Sequence, residues 1–117
     1  RWIPWVTKNE YEKIFSEHGI LLFPSLHDSG GFAVLDAFKH GLPVICFDLG
    51  GPSESVDKKS GIIIPTKIKN YKLLLSNISN AICSLSNDKD KWKLLSKGAK
   101  NRAEYFSIKN IVDKIYI

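Results

Sequence analysis

Apolar residues fall along this chain in two kinds of run. Short unbroken ones, Ile20-Leu21-Leu22-Phe23, Pro43-Val44-Ile45-Cys46-Phe47 and Gly61-Ile62-Ile63-Ile64, stand apart from stretches in which apolar positions recur every three or four residues. A short apolar run bounded by Pro or Gly reads as a strand buried on both faces, and Pro24 and Pro65 close the first and third. The periodic stretches read as amphipathic helices. Tyr11, Ile14, Phe15 and His18 share one face, and Phe32, Leu35 and Phe38 share another within Gly31–His40. Tyr71, Leu74, Leu75, Ile78, Ile82 and Leu85 form a third stripe, and Trp92, Leu95, Ala99, Ala103 and Phe106 a fourth.

End signals agree with these periods. Thr7 and Glu10 make a capping-box pattern with Val6 and Tyr11 at the staple positions, and Gly19 and Gly41 stand where helices stop. Gly50-Gly51-Pro52 marks a tight turn with Pro52 near the start of a short helical piece, and Ser107 caps a last helix carrying Ile111, Val112 and Ile115. Buried strands alternating with helices predict an α/β domain: a Rossmann-like half-domain, its parallel sheet covered by helices on both faces, followed by C-terminal helices. Three strands make a narrow sheet, so residues 1–5 are expected to hold the end of a fourth and the whole to be the second half of a doubly wound domain.

The 117 residues suit one domain. The chain opens on Arg1 and contains no Met, which reads as a trimmed polypeptide. Its net charge of +5 is uneven: residues 1–64 carry −2 and residues 65–117 carry +7. The basic residues are mostly Lys, with Arg only at positions 1 and 102. Base reading leans on guanidinium forks, so no nucleic-acid partner is expected. Cys46 and Cys83 lack metal-ligand spacing, as do His18, His27 and His40, so no metal is expected and free thiols point to a reducing, cytoplasmic setting. No apolar run approaches a membrane span.

Candidate chemistry lies in Ser25-Leu26-His27-Asp28-Ser29-Gly30-Gly31, between a strand and a helix. Ligands of open α/β sheets gather at the carboxyl ends of strands, and amides at a helix start attract anions. The loop alone leaves two readings open, a phosphate cradle or glycines that only relieve strain. Asp36, eight positions after Asp28, adds a second carboxylate suited to accept hydroxyl hydrogen bonds. Asp48-Leu49-Gly50-Gly51-Pro52-Ser53-Glu54 follows the next strand and is placed to complete the same pocket.

Phe23-Pro24-Ser25, the Asp28/Asp36 pair with Ala37, Gly41-Leu42-Pro43-Val44, Gly50-Gly51-Pro52-Ser53-Glu54 and Gly61 together resemble the retaining glycosyltransferases of the two-domain GT-B fold, family 4. The resemblance implies that residues 1–117 are part of the C-terminal, donor-binding domain, with the acceptor domain elsewhere in the parent protein. It implies transfer of a sugar from a UDP-, GDP- or ADP-sugar with retention and no tightly bound cofactor, in bacterial surface polysaccharide or glycolipid assembly. Asp28 and Asp36 stand where the family has Glu, each one methylene shorter. Asp28 then takes the catalytic place near the donor sugar and Asp36 binds the ribose hydroxyls. Ser29, Gly30, Gly31 and Phe32 face the pyrophosphate, with His27, Gly50, Gly51 and Ser53 around them.

Ile3-Pro4-Trp5-Val6 resembles the family's loop near the nucleotide base, where the readings for Trp5 are a pocket-lining and a packing role. The basic pair that neutralises the leaving diphosphate matches no residue here, so the chain is expected to be inactive alone. The Lys-rich helices beyond residue 66 suit peripheral contact with the inner face of a membrane holding a lipid-linked acceptor. The competing readings are a non-catalytic nucleotide-binding or interaction module and a GT-B sugar-nucleotide epimerase. Asp48 and Glu54 flank the second glycine loop, Asp57 reads as a solvated turn residue, and Trp92 as a packing anchor.

Overall fold

Residues 1–116 are described by a computed structural model. In chain order the elements are α1 (Lys8–Glu17), β1 (Leu21–Phe23), α2 (Phe32–Lys39), β2 (Val44–Phe47), α3 (Gly50–Ser55), β3 (Gly61–Ile64), α4 (Tyr71–Ser86), α5 (Lys89–Tyr105) and α6 (Ile108–Ile115). The strands form one parallel sheet in the order β1-β2-β3, pairing Leu22 with Ile45 and Ile45 with Ile62. The fold class expected from the alternation of runs is the one observed.

Alternation along each strand sends side chains to opposite faces. Val44 and Cys46 pack with Phe15 of α1, Val34, Ala37 and Phe38 of α2, and Ala99 of α5. Ile45, Phe47 and Ile64 pack on the other face with Ala81 and Leu85 of α4 and Leu95 of α5. Burial lifts the Cys46 thiol to about 11, with the Asp48 charge adding to it. Its partner in the sequence, Cys83, is exposed.

The capping box forms as expected: Glu10 N–H donates to Thr7 Oγ1 (3.3 Å) and Thr7 N–H to Glu10 Oε2 (2.7 Å). Those bonds, the backbone one foremost, hold the Glu10 carboxyl below its ordinary range. Thr7→Ala should cost about 1 kcal/mol, read as a lowered midpoint in a urea melt. Gly41 ends α2 with φ +69°, and its carbonyl accepts a 2.6 Å bond from the buried Ser96 hydroxyl of α5. Trp92 is the anchor expected of it, donating from Nε1 to Gly19 O at 2.6 Å.

Several expectations need correction. The edge strands are not buried on both faces: β1 and β3 flank β2, and Leu22 and Ile63 are 40% and 36% exposed. Residues 1–5 form no strand and are exposed. On α4 the burial narrows to Leu74, Ile78, Ala81, Ile82 and Leu85, leaving Tyr71 and Leu75 exposed. Pro52 is the third residue of α3. Asp57 is structural: its Oδ1 accepts from Ser60 Oγ (2.9 Å) and Lys59 N–H (3.0 Å), and its Oδ2 lies 3.8 Å from Arg102 Nε.

Candidate functional site

The loops at the carboxyl ends of β1 and β2 lie against each other, backbone to backbone. Gly51 N–H donates to Asp28 O at 3.0 Å. A Cβ built on Gly50 would collide with the Asp28 carbonyl, and one on Gly51 with the Ser29 carbonyl. Gly50 also holds φ +62°, in the left-handed region. These two glycines therefore let the loops meet. Ser53 serves its own helix, donating from Oγ to Gly50 O at 2.8 Å. The third loop is tied on through Asp48, whose Oδ1 accepts from Thr66 Oγ1 (2.6 Å) and Thr66 N–H (3.0 Å). The hydroxyl bond is the main cause that holds the Asp48 carboxyl below its ordinary range.

Within the first loop Asp28 folds back on its own chain. Its Oδ1 accepts from Gly30 N–H at 3.0 Å and Gly31 N–H at 2.7 Å. Gly31, at φ +61°, is the N-cap of α2, and its carbonyl receives the amides of Val34 and Leu35. The amides of Phe32 and Ala33 are left with no protein acceptor among the described residues. The carboxylate thus covers the N-cap amide and the one before it, and the first two helical amides are open. His27 and Ser29 stand exposed, as do Phe32 and Trp5 at 78% and 81%.

Asp36 is bonded outside this loop. Its Oδ2 accepts a 3.0 Å bond from the Tyr11 hydroxyl of α1, and Lys39 Nζ lies 3.5 Å from Oδ1. Burial, then the bond and charge of Asp36, push the Tyr11 phenol up to about 12. Asp36 and Phe32 line a cavity of about 610 Å³ with Lys39 and with Glu104, Phe106 and Ile108 from the α5–α6 corner. The carboxylates expected to converge thus have separate partners, Asp28 its own loop and Asp36 the helix α1. The sequence gives Tyr11 a staple position and a place on the packed face of α1 but no polar partner; a phenol on that face was the available signal that an acceptor lies opposite.

Two of the three histidines are engaged structurally. His18 Nδ1 lies 2.7 Å from Ile14 O, while His40 contacts Asp36 O (2.9 Å) and Glu12 Oε2 (3.2 Å). Among the described residues no three His, Cys, Asp or Glu side chains are grouped to hold a metal ion. No helix there is long and apolar enough to cross a membrane.

Comparison with known proteins matches residues 1–88 to the family described as Glycosyl transferases group 1. The D-inositol 3-phosphate glycosyltransferase of Streptomyces bingchenggensis (strain BCW-1) is 30% identical over 107 residues, which make up 91% of this chain and 22% of that enzyme. Among solved structures, the sucrose-phosphate synthase of Thermosynechococcus elongatus superposes with a TM-score of 0.82 at 20% identity, over 98% of this chain and 28% of that one. The pneumococcal O-GlcNAc transferase GtfA, solved with UDP and GlcNAc, gives 0.76 at 23% identity, over 89% of this chain and 21% of its own. WaaG, a glycosyltransferase involved in lipopolysaccharide biosynthesis, gives 0.69 at 18% identity, over 92% and 28%. The chain therefore spans less than a third of each of these proteins, and at such identities the structures establish a shared GT-B half-domain fold. With its matched segment running from the first helix through both glycine loops to the end of α4, the chain belongs to the group 1 glycosyl transferases.

Proposed function

We propose that this chain is part of the donor-binding domain of an enzyme that transfers a sugar, with retention, from a nucleotide sugar to a saccharide or lipid-linked acceptor. The observation that carries this reading is the helix start at Phe32. Two amides there lack protein acceptors, beside a pair of interlocked glycine loops and inside the family-matched segment. A diphosphate meets the Phe32 and Ala33 amides first, with the positive end of the helix dipole behind them. The Gly30 and Gly31 amides become available when the Asp28 side chain rotates away, so that a phosphate replaces a carboxylate on the same donors. Released in this way, Asp28 is free to turn to the donor sugar, while Asp36 accepts from the ribose hydroxyls.

The acceptor side belongs to the rest of the parent protein in this reading, and the chain alone binds nucleotide without transferring sugar. The +7 net charge of residues 65–117 supports loose attraction to the anionic inner face of a membrane, where a lipid-linked acceptor is met. Titration of the labelled chain with UDP, GDP and ADP, followed by amide chemical shifts, tests the site. Shifts should concentrate at Gly30–Ala33, and Asp36→Asn should weaken the preferred nucleotide roughly tenfold. Shifts scattered over the surface, or none at millimolar nucleotide, would overturn the proposal.

A further inference from the structure

Helix α1 is fastened across α2 at two polar points with an aromatic bridge between them. Tyr11 OH donates to Asp36 Oδ2 at 3.0 Å, and Glu12 Oε2 lies 3.2 Å from His40 Nε2. Phe15, buried, packs against both in tilted geometry, its ring centre 4.7 Å from that of Tyr11 and 5.6 Å from that of His40. The capping box fixes the start of α1 one turn before Tyr11, so the phenol is delivered by a rigid element. We infer that Tyr11 is a positioning residue for Asp36. Its hydroxyl sets the rotation of that carboxylate, and with it the preference of the site for a nucleotide bearing an intact ribose diol.

The inference rests on the donor reading above, which gives Asp36 the ribose. A carboxylate on a helix has two torsions to settle, and an aspartate has little reach with which to correct a poor choice. A vicinal diol donates two O–H groups and needs both carboxylate oxygens turned toward it. Each oxygen offers two lone-pair sites, so the Tyr11 bond to Oδ2 orients the group and still leaves acceptor capacity on both atoms. Lys39 is no substitute: its ammonium is 3.5 Å from Oδ1 and the side chain is 68% exposed, where such pairs contribute little.

The test compares the ribonucleoside diphosphate that binds this chain best among UDP, GDP and ADP with its 2′,3′-dideoxy counterpart, on the wild-type chain, Tyr11→Phe, Asp36→Asn and the double variant. Phe preserves the ring that packs on Phe15, so amide spectra outside the site should be unchanged. Tyr11→Phe should lower affinity for the ribonucleotide about three- to tenfold and leave the dideoxy form unaffected. In the Asp36→Asn background the second change should have no further effect. Equal loss for both nucleotides, no loss for either, or additive effects would overturn the positioning role while the wild-type preference for ribose stands. A wild-type chain that does not distinguish ribose from dideoxyribose would instead overturn the assignment of Asp36 to the ribose, and this inference with it.

Discussion

Gly98→Ala should destabilise the chain by about 2–3 kcal/mol, although the position lies in the middle of a 17-residue helix. Helix propensity alone argues the opposite sign, since Ala is favoured over Gly in a helix interior by roughly 1 kcal/mol. Packing decides against propensity here. Gly98 is buried, and a methyl group there would run into the carbonyl of Lys59 in the turn that leads into β3. That carbonyl belongs to the backbone and cannot swing aside as a long side chain can. To make room, α5 must lift from the turn, and the neighbours Leu95 and Ala99, one in each apolar layer, lift with it. Urea melts of Gly98→Ala beside Lys97→Ala, an exposed control expected within about 0.5 kcal/mol of wild type, measure the difference. A stabilised Gly98→Ala chain would show that α5 does not approach the turn as closely as described.

Gly50→Ala should cost about 3 kcal/mol and also disturb the first loop. Two effects add at this position. The left-handed conformation at φ +62° costs a residue with a side chain about 1–2 kcal/mol, and the added carbon collides with the Asp28 carbonyl. Gly31 separates the two effects. It shares the left-handed φ, but a Cβ there would meet Pro52 at an ordinary 3.4 Å. Gly31→Ala should therefore show the backbone cost alone and fall short of Gly50→Ala by about 1 kcal/mol or more. Amide spectra should also part the two variants. Gly50→Ala moves the signals of Asp28–Gly31 through the displaced carbonyl and, on the proposed function, weakens nucleotide binding accordingly. Equal losses for the two variants would mean that the loops are not interlocked.

The architecture was largely legible because its signals are local. Apolar runs closed by Pro, the Thr7–Glu10 box and Gly41 each act over a few residues, and each formed as read. Burial at the edges was less legible. Nothing in Ile20–Phe23 says whether a further strand lies beside it, and at the sheet edge Leu22 is exposed. Of the candidate site, the meeting of the loops was legible and their arrangement was not. Glycines at strand ends marked where the loops meet, but the same residues suit a ligand and a close backbone approach, and the second use is what Gly50 and Gly51 show. An aspartate two residues before a glycine pair has the reach to cap its own loop, which Asp28 does. The Tyr11–Asp36 and Trp92–Gly19 bonds join residues 25 and 73 positions apart, beyond the range of any local pattern.

The Trp92 bond has a practical consequence. Of the three tryptophans, Trp2 and Trp5 lie in water at 88% and 81% exposure, while the Trp92 indole is held against the α1–β1 corner. The exposed pair emits from the same solvent in folded and unfolded chains. Any blue component of the tryptophan emission, excited selectively to exclude the four tyrosines, therefore comes from one ring, and its loss during denaturation tracks the release of α5 from the first helix–strand junction without an introduced label.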